Sequence, residues 1–211
     1  MMDDTGPLGG IDTEDALRGL YKAPSEVARK KVLARLDKHC RQFISLSPFL
    51  CIATAGADGS ADVSPRGDAP GFVAVPDDGT VVIPDRPGNN RLDTLANIVE
   101  NPHVGLIFLI PGFNDILRIN GRAWVVDDAA VLEEFAVGGK LPKTAIVVTV
   151  DEAYLHCPKA VIRSKLWSDE AKTPRDAMPT AGQIYKDQIA LSKSAEELEE
   201  GFIAGRRDSL Y

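Results

Sequence analysis

Ile116-Leu117-Arg118-Ile119-Asn120-Gly121-Arg122-Ala123-Trp124-Val125-Val126 alternates with period two. Leu117, Ile119, Gly121, Ala123 and Val125 fall on one face, and Arg118, Asn120, Arg122 and Trp124 on the other. Successive side chains of a strand point to opposite sides of a sheet, so the stretch predicts a strand with one buried and one wet face. Just upstream, Val104–Ile110 is a continuous apolar run, joined to it by a turn at Pro111-Gly112 and Asn114-Asp115. Downstream, Ala145–Tyr154 is rich in β-branched residues. Further upstream, Phe49–Ala55, Ala61–Pro65, Gly71–Val75 and Thr80–Asp85 read as strands, punctuated by Gly56-Ala57-Asp58-Gly59 and Asp77-Asp78-Gly79. Strands that follow one another through short turns predict a mainly β, antiparallel barrel with flanking helices, not alternating parallel units.

The flanks are helical in pattern. Ser25 is a candidate cap for a helix in which Leu33, Leu36, Cys40 and Phe43 recur at three and four, ended by Ser47-Pro48. Leu92, Leu95, Ile98 and Val99 mark one side of a second helix. Asp127 can cap a short one through Phe135, and Pro158–Leu166 predicts another. Ser194 and Glu197 form a capping-box pattern that opens a terminal helix. Gly- and Asp-rich residues 1–12 are expected to be mobile. The expected organisation is a helical segment over 1–48, a barrel over 49–167, and a helical extension over 168–211 that packs on the barrel or on a partner.

Lys plus Arg number 24 against 31 Asp plus Glu, a net charge of −7. An acidic chain without a local basic patch repels nucleic acid and anionic membrane, so neither is an expected partner. No apolar run approaches the roughly 18 residues of a membrane span, and Met1-Met2-Asp3-Asp4 is acidic where a secretory leader is basic. The expected compartment is the cytoplasm. Cys40, Cys51 and Cys157 are scattered, with no Cys-x-x-Cys pair, so neither a disulfide framework nor a zinc site is expected. His39 and His156 each precede a cysteine, without a repeating ligand spacing.

Four segments can carry chemistry. In Ser64-Pro65-Arg66-Gly67-Asp68, a guanidinium between Pro and Gly suits a phosphate or carboxylate, or a salt bridge with Asp62 or Asp68. In Pro84-Asp85-Arg86-Pro87-Gly88-Asn89-Asn90-Arg91-Leu92-Asp93-Thr94, a basic, Asn-rich loop runs into a helix. A helix N-terminus offers unsatisfied N–H groups and a positive dipole end. Arg91 there opposes the dipole, which fits a bound anion or a solvated charge. Leu117–Ala123 puts Arg118 and Asn120 on the wet face of its strand. Lys159 and Arg163 lie four apart before Trp167, as a ligand-facing edge or a solvated basic face. No nucleophile elbow, Walker loop or dinucleotide fingerprint accompanies them. The pattern is anion binding without a protein nucleophile, as expected where a cofactor carries the chemistry.

Taken in order, Ser64–Asp68, Pro84–Arg91, Asn101-Pro102, Leu117–Gly121 and Lys159–Trp167 resemble the FMN-binding split-barrel superfamily that includes pyridoxamine 5'-phosphate oxidase, and more narrowly its probable FMN-dependent branch. The resemblance spans residues 49–167. It implies a six-stranded antiparallel Greek-key split barrel that forms a homodimer, with FMN at the interface. It also implies an FMN-dependent oxidoreductase acting on a small molecule, with NAD(P)H as one candidate electron donor. The alternatives are a flavin-storing or flavin-sensing protein and a deazaflavin- or haem-binding relative. By resemblance, Arg66 and Arg91 contact the FMN phosphate, with Gly67, Asp68, Asn89, Asn90 and Thr94 nearby. Pro84, Asp85 and Arg86 line the ribityl and ring region, Arg118 and Asn120 approach from the same or the partner chain, and Lys159, Arg163 and Trp167 close the site from the partner. The oxidase's C-terminal Arg-x-His has no counterpart after His156, so the vitamin substrate is not expected here.

Overall fold

The computed structural model describes residues 10–208 and 210–211, without the side chains of residues 206–208. The sequence readings for residues 1–9, among them the acidic start Met1–Asp4, lie outside the described residues. Two compact units divide between Val32 and Leu33. In the first, Thr13 caps α1 (Glu14–Gly19) and Ser25 caps α2 (Glu26–Lys30), and neither helix has a buried residue.

The second unit begins with a correction. The helix expected to run from Ser25 to Phe43 stops at Lys30, and α3 (Lys38–Leu46) starts afresh with Asp37 as its cap. Between them Leu33 is extended: its N–H donates to the Ala153 carbonyl at 3.0 Å and its carbonyl accepts from Ala153 at 2.8 Å. A backbone pairing with a distant strand thus overrides a local helical period. Cys40, Phe43 and Ile44 of α3 are buried in the barrel core, so residues 33–48 belong with the barrel.

Six antiparallel strands follow, curled with helices on their flanks: β1 (Phe49–Ala55), β2 (Ala61–Gly67), β3 (Thr80–Pro84), β4 (His103–Leu109), β5 (Ile116–Val126) and β6 (Ala145–His156). Their order is β2-β1-β4-β5-β6-β3. The chain therefore crosses from one edge of the sheet to the other between β2 and β3. Gly71–Val75, read as a strand, contributes only the isolated bridge Ala74↔Val82. Leu50, Ile52, Phe108, Leu106, Leu117, Ile119, Ile83 and Ile146 are fully buried on the inner face. Each such side chain stabilises the fold by about 1.5–3 kcal/mol relative to exposure. A smaller core of Val82, Leu132, Phe135 and Ala145 lies under α5 (Ala129–Glu133), which is capped by Asp128 in place of the expected Asp127.

Between β3 and β4 stands α4 (Asp93–Glu100), which buries Thr94 and Ile98 and leaves Val99 exposed, against the expected packed side. After β6 come α6 (Lys159–Ser164), α7 (Ala181–Gln188) and α8 (Ala195–Asp208). The Ser194 and Glu197 box opens α8 as expected: Glu197 N–H donates to Ser194 Oγ at 3.2 Å and Ser194 N–H to Glu197 Oε2 at 2.7 Å. No described helix is long and apolar enough to cross a membrane.

Candidate functional site

The edges of the sheet are fastened to each other. Arg66 of β2 donates through Nη1 to Asp85, the residue after β3. One step further, Arg86 donates through Nε to Asp68 Oδ2 at 2.7 Å. Two ion pairs, crossed in sequence, join strands that share no backbone hydrogen bond, and all four side chains are largely buried. The partner of Arg66 is therefore neither Asp62 nor Asp68. Arg86 also donates to the Phe135 carbonyl at 2.7 Å. One buried donor in this cluster stands without an acceptor, the Nε of Arg66. A buried N–H without an acceptor is costly, so it marks a place where an acceptor belongs.

Pairing with β1 sets the inward row of β2. Asp62 lies opposite Thr54, Ser64 opposite Ile52 and Arg66 opposite Leu50, so all three share the core-facing side. At the other end of this row Asp62 Oδ2 accepts from the Thr94 hydroxyl at 2.9 Å, which pins the first turn of α4 to β2. Asp62 and Arg66 are four residues apart, so the row runs about 13 Å at the usual strand rise. The N-terminus of α4 is open. Leu92 sits at its N-cap with φ 63° and no side chain caps the helix. Asn90 is also left-handed, at φ 59°, which Asn tolerates better than most residues. Asn89 Oδ1 accepts from the Arg91 N–H at 3.1 Å. Arg91 is exposed and its Nε donates to Asp93 at 2.7 Å; that carboxylate holds the guanidinium even more firmly protonated than usual. A turn of two left-handed residues thus delivers an uncapped helix end, with its free N–H groups, to the row that ends at Arg66.

Arg118 and Asn120 are elsewhere. Arg118 pairs with Ile107 and Tyr154, and Asn120 with Gly105 and Glu152. Ile107 and Gly105 in turn lie opposite Cys51 and Ala53, whose β2 partners are Pro65 and Val63. This is the outer face of the sheet, opposite the row of Asp62 and Arg66. There Arg118 lies 5.7 Å from the Tyr154 ring centroid and donates through Nε to Asn120 at 3.3 Å, while Asn120 Nδ2 donates to Glu152. Val63 and Ile107 on this face are 65 % and 42 % exposed, an apolar surface beside a polar network. Lys159 and Arg163 are exposed on α6, and Trp167 lies beyond the helix, where Lys165 is left-handed; its Nε1 donates to the Phe113 carbonyl at 2.6 Å. One helical face running from Lys159 to Trp167 is therefore corrected to a six-residue helix and a turn.

The profile of the pyridoxamine 5'-phosphate oxidase family matches residues 36–157, which takes in all six strands and the Arg66 row. The chain belongs to this family. No curated protein matches it. Among solved structures, HupZ of Group A Streptococcus is 18 % identical over 57 % of this chain and 93 % of its own, with a TM-score of 0.47. An FMN-binding protein from Syntrophomonas wolfei is 10 % identical over 56 % and 88 %, at 0.41. An FAD-binding protein from Mycobacterium smegmatis is 18 % identical over 59 % and 97 %, at 0.41.

In this member of the pyridoxamine 5'-phosphate oxidase family, five neighbours of the expected residues were not themselves among the expected site residues. Asp62 was legible by alternation, since it shares parity with Arg66. Glu152 and Tyr154 carried a similar signal, two apart on a strand, but their register against Asn120 and Arg118 was not. Phe135 and Tyr211 gave none: Phe135 acts through its carbonyl, and the Tyr211 hydroxyl donates to Asp68 Oδ1 at 2.7 Å from 143 positions away. Burial pushes the Asp68 carboxyl up, but the hydrogen bonds from Tyr211, the Ala69 N–H and Arg86 outweigh it and hold the group below its ordinary value. The same Asp68 contact pushes the Tyr211 phenol up.

Proposed function

We propose that this chain is an FMN-dependent oxidoreductase of the cytoplasm, acting on a small molecule with NAD(P)H as a candidate electron donor and working as a homodimer. The buried, acceptor-less Nε of Arg66 carries this reading. It is an unused cationic donor on the row that also meets the uncapped helix terminus, and the two together suit a ligand with an anionic group. Membership of the pyridoxamine 5'-phosphate oxidase family supports a flavin as that ligand.

Bound FMN supplies hydride transfer at its ring. The protein's residues bind and orient. Arg66 donates through Nε, with Asp85 holding the rest of its guanidinium. The first N–H groups of α4 face the anion, with Arg91 adding charge and the Asp62–Thr94 bond fixing the helix. Arg118 and Asn120 occupy the opposite face, so they meet the Arg66 row only if a second copy presents its outer face. The exposed Val63 and Ile107 give that contact an apolar centre, and Lys159, Arg163 and Trp167 of the second copy then close the cleft.

The test is the visible spectrum of the purified protein, alone and with FMN, followed under NADH and NADPH. Flavin bands that bleach with reductant and return in air are expected. Absence of FMN binding, or a Soret band, overturns the cofactor; bound flavin that no reductant alters overturns the redox role.

A further inference from the structure

The flavin site has a contact from a third part of the chain. Tyr211 touches three residues remote from it in sequence. Its hydroxyl donates to Asp68 Oδ1 at 2.7 Å, its ring centroid lies 5.6 Å from the Arg86 guanidinium carbon, and its carbonyl accepts from Lys140 Nζ at 3.0 Å. Asp68 thereby accepts three hydrogen bonds: Oδ1 takes the phenol and the Ala69 N–H, each at 2.7 Å, and Oδ2 takes Arg86. Arg86 is held on three sides, with Asp68 on Nε, the Phe135 carbonyl on Nη1 and an aromatic face against it. The next residue back, Asp85, grips Arg66.

We infer that Tyr211 is a positioning residue of the flavin site, an inference that rests on the reading above. It acts through the Asp68–Arg86 pair. A phenol donating to a buried carboxylate and a ring stacked on a guanidinium both favour the paired, dry arrangement over a solvated one. With that pair fixed, the backbone from Pro84 to Arg86 is fixed, Asp85 presents Nη1 of Arg66 in one orientation, and Nε is left for the ligand. A loosened pair frees Asp85, and the Arg66 guanidinium turns away from the row. Tyr211 therefore acts on the anionic end of the ligand, not on the flavin ring.

Tyr211→Phe removes the hydroxyl and keeps the ring, and Tyr211→Ala removes both. FMN and riboflavin, which differ by the phosphate, are titrated into each variant by flavin fluorescence, with thermal unfolding measured without flavin. A hydrogen bond to a charged group corresponds to about ten- to a hundredfold in an equilibrium constant. Tyr211→Phe is expected to weaken FMN about tenfold and Tyr211→Ala further, with riboflavin changed less than about threefold. Unchanged FMN affinity in Tyr211→Ala overturns the inference while leaving the flavin site standing. So does an equal loss for both flavins that tracks a fall in thermal midpoint, which makes Tyr211 a fastener of the fold alone. Wild-type protein that binds neither flavin overturns the site and the inference together.

Discussion

Arg66 and Arg91 look alike in the sequence, each in a polar, Gly-containing segment, yet the fold gives them different environments. Arg66 is largely buried and paired with Asp85, whereas Arg91 is exposed beside Asp93. A charge-assisted contact to phosphate contributes about 1.5–3 kcal/mol, so Arg91→Ala is expected to weaken FMN roughly ten- to a hundredfold and leave the melting temperature unchanged. Arg66→Ala is expected to weaken FMN similarly and also to lower the melting temperature, because it leaves Asp85 buried without its cation. Flavin titration and calorimetry on the same preparations check both; equal melting of the two variants contradicts the assigned environments. Asp68 gives a pH prediction. Its carboxyl is held below the ordinary value in the folded chain, so its contribution is fully present above the unfolded value near 3.9 and is lost as pH falls through the lower folded one. Asp68→Asn is expected to cost about 3 kcal/mol at neutral pH. The stability curves of variant and wild type, from denaturant unfolding, are expected to converge only in strong acid.

The strands were legible because period two survives in the letters. The bulge in β6 was not. Asn120 and Gly121 of β5 pair with Glu152 and Val150, which leaves Asp151 as the extra residue, and a Cβ on Gly121 would meet the Thr149 carbonyl oxygen at 2.1 Å. That approach is a property of two strands, and one strand's sequence does not announce it. Gly121→Ala is expected to destabilise the fold by about 1–3 kcal/mol, read from the urea midpoint; a midpoint within error of wild type contradicts the close approach. The helical period at Leu33 and Leu36 misled for the converse reason, since the extended pairing of Leu33 with Ala153 is worth more than two further helical residues. The site divides the same way. The loop from Pro84 to Arg91 is unusual enough to stand out alone. The partners Asp85 for Arg66 and Tyr211 for Asp68 come from separations of 19 and 143 residues, which no local pattern encodes.

At the scale of the whole molecule, the proposed flavin site draws on two opposed faces, which a homodimer would bring together. Ultracentrifugation at micromolar concentration is expected to show a dimer. Mixing Arg66→Ala chains with Arg118→Ala chains is expected to regenerate one unmutated flavin site in each hybrid. Monomers that retain full FMN affinity, or hybrids that bind no better than either parent, contradict the two-chain arrangement.

The fastened edges also govern what the sheet refuses. A strand with a bare edge is a template on which a foreign or misfolded chain can add, the first step towards aggregation. Here the two edge strands carry Pro65 and Pro84, each lacking an amide hydrogen to offer a newcomer, and the paired charges beyond them tie one margin to the other. The ion pairs proposed to aim Arg66 at its ligand thus also stand where an added strand would have to dock, and are expected to disfavour it.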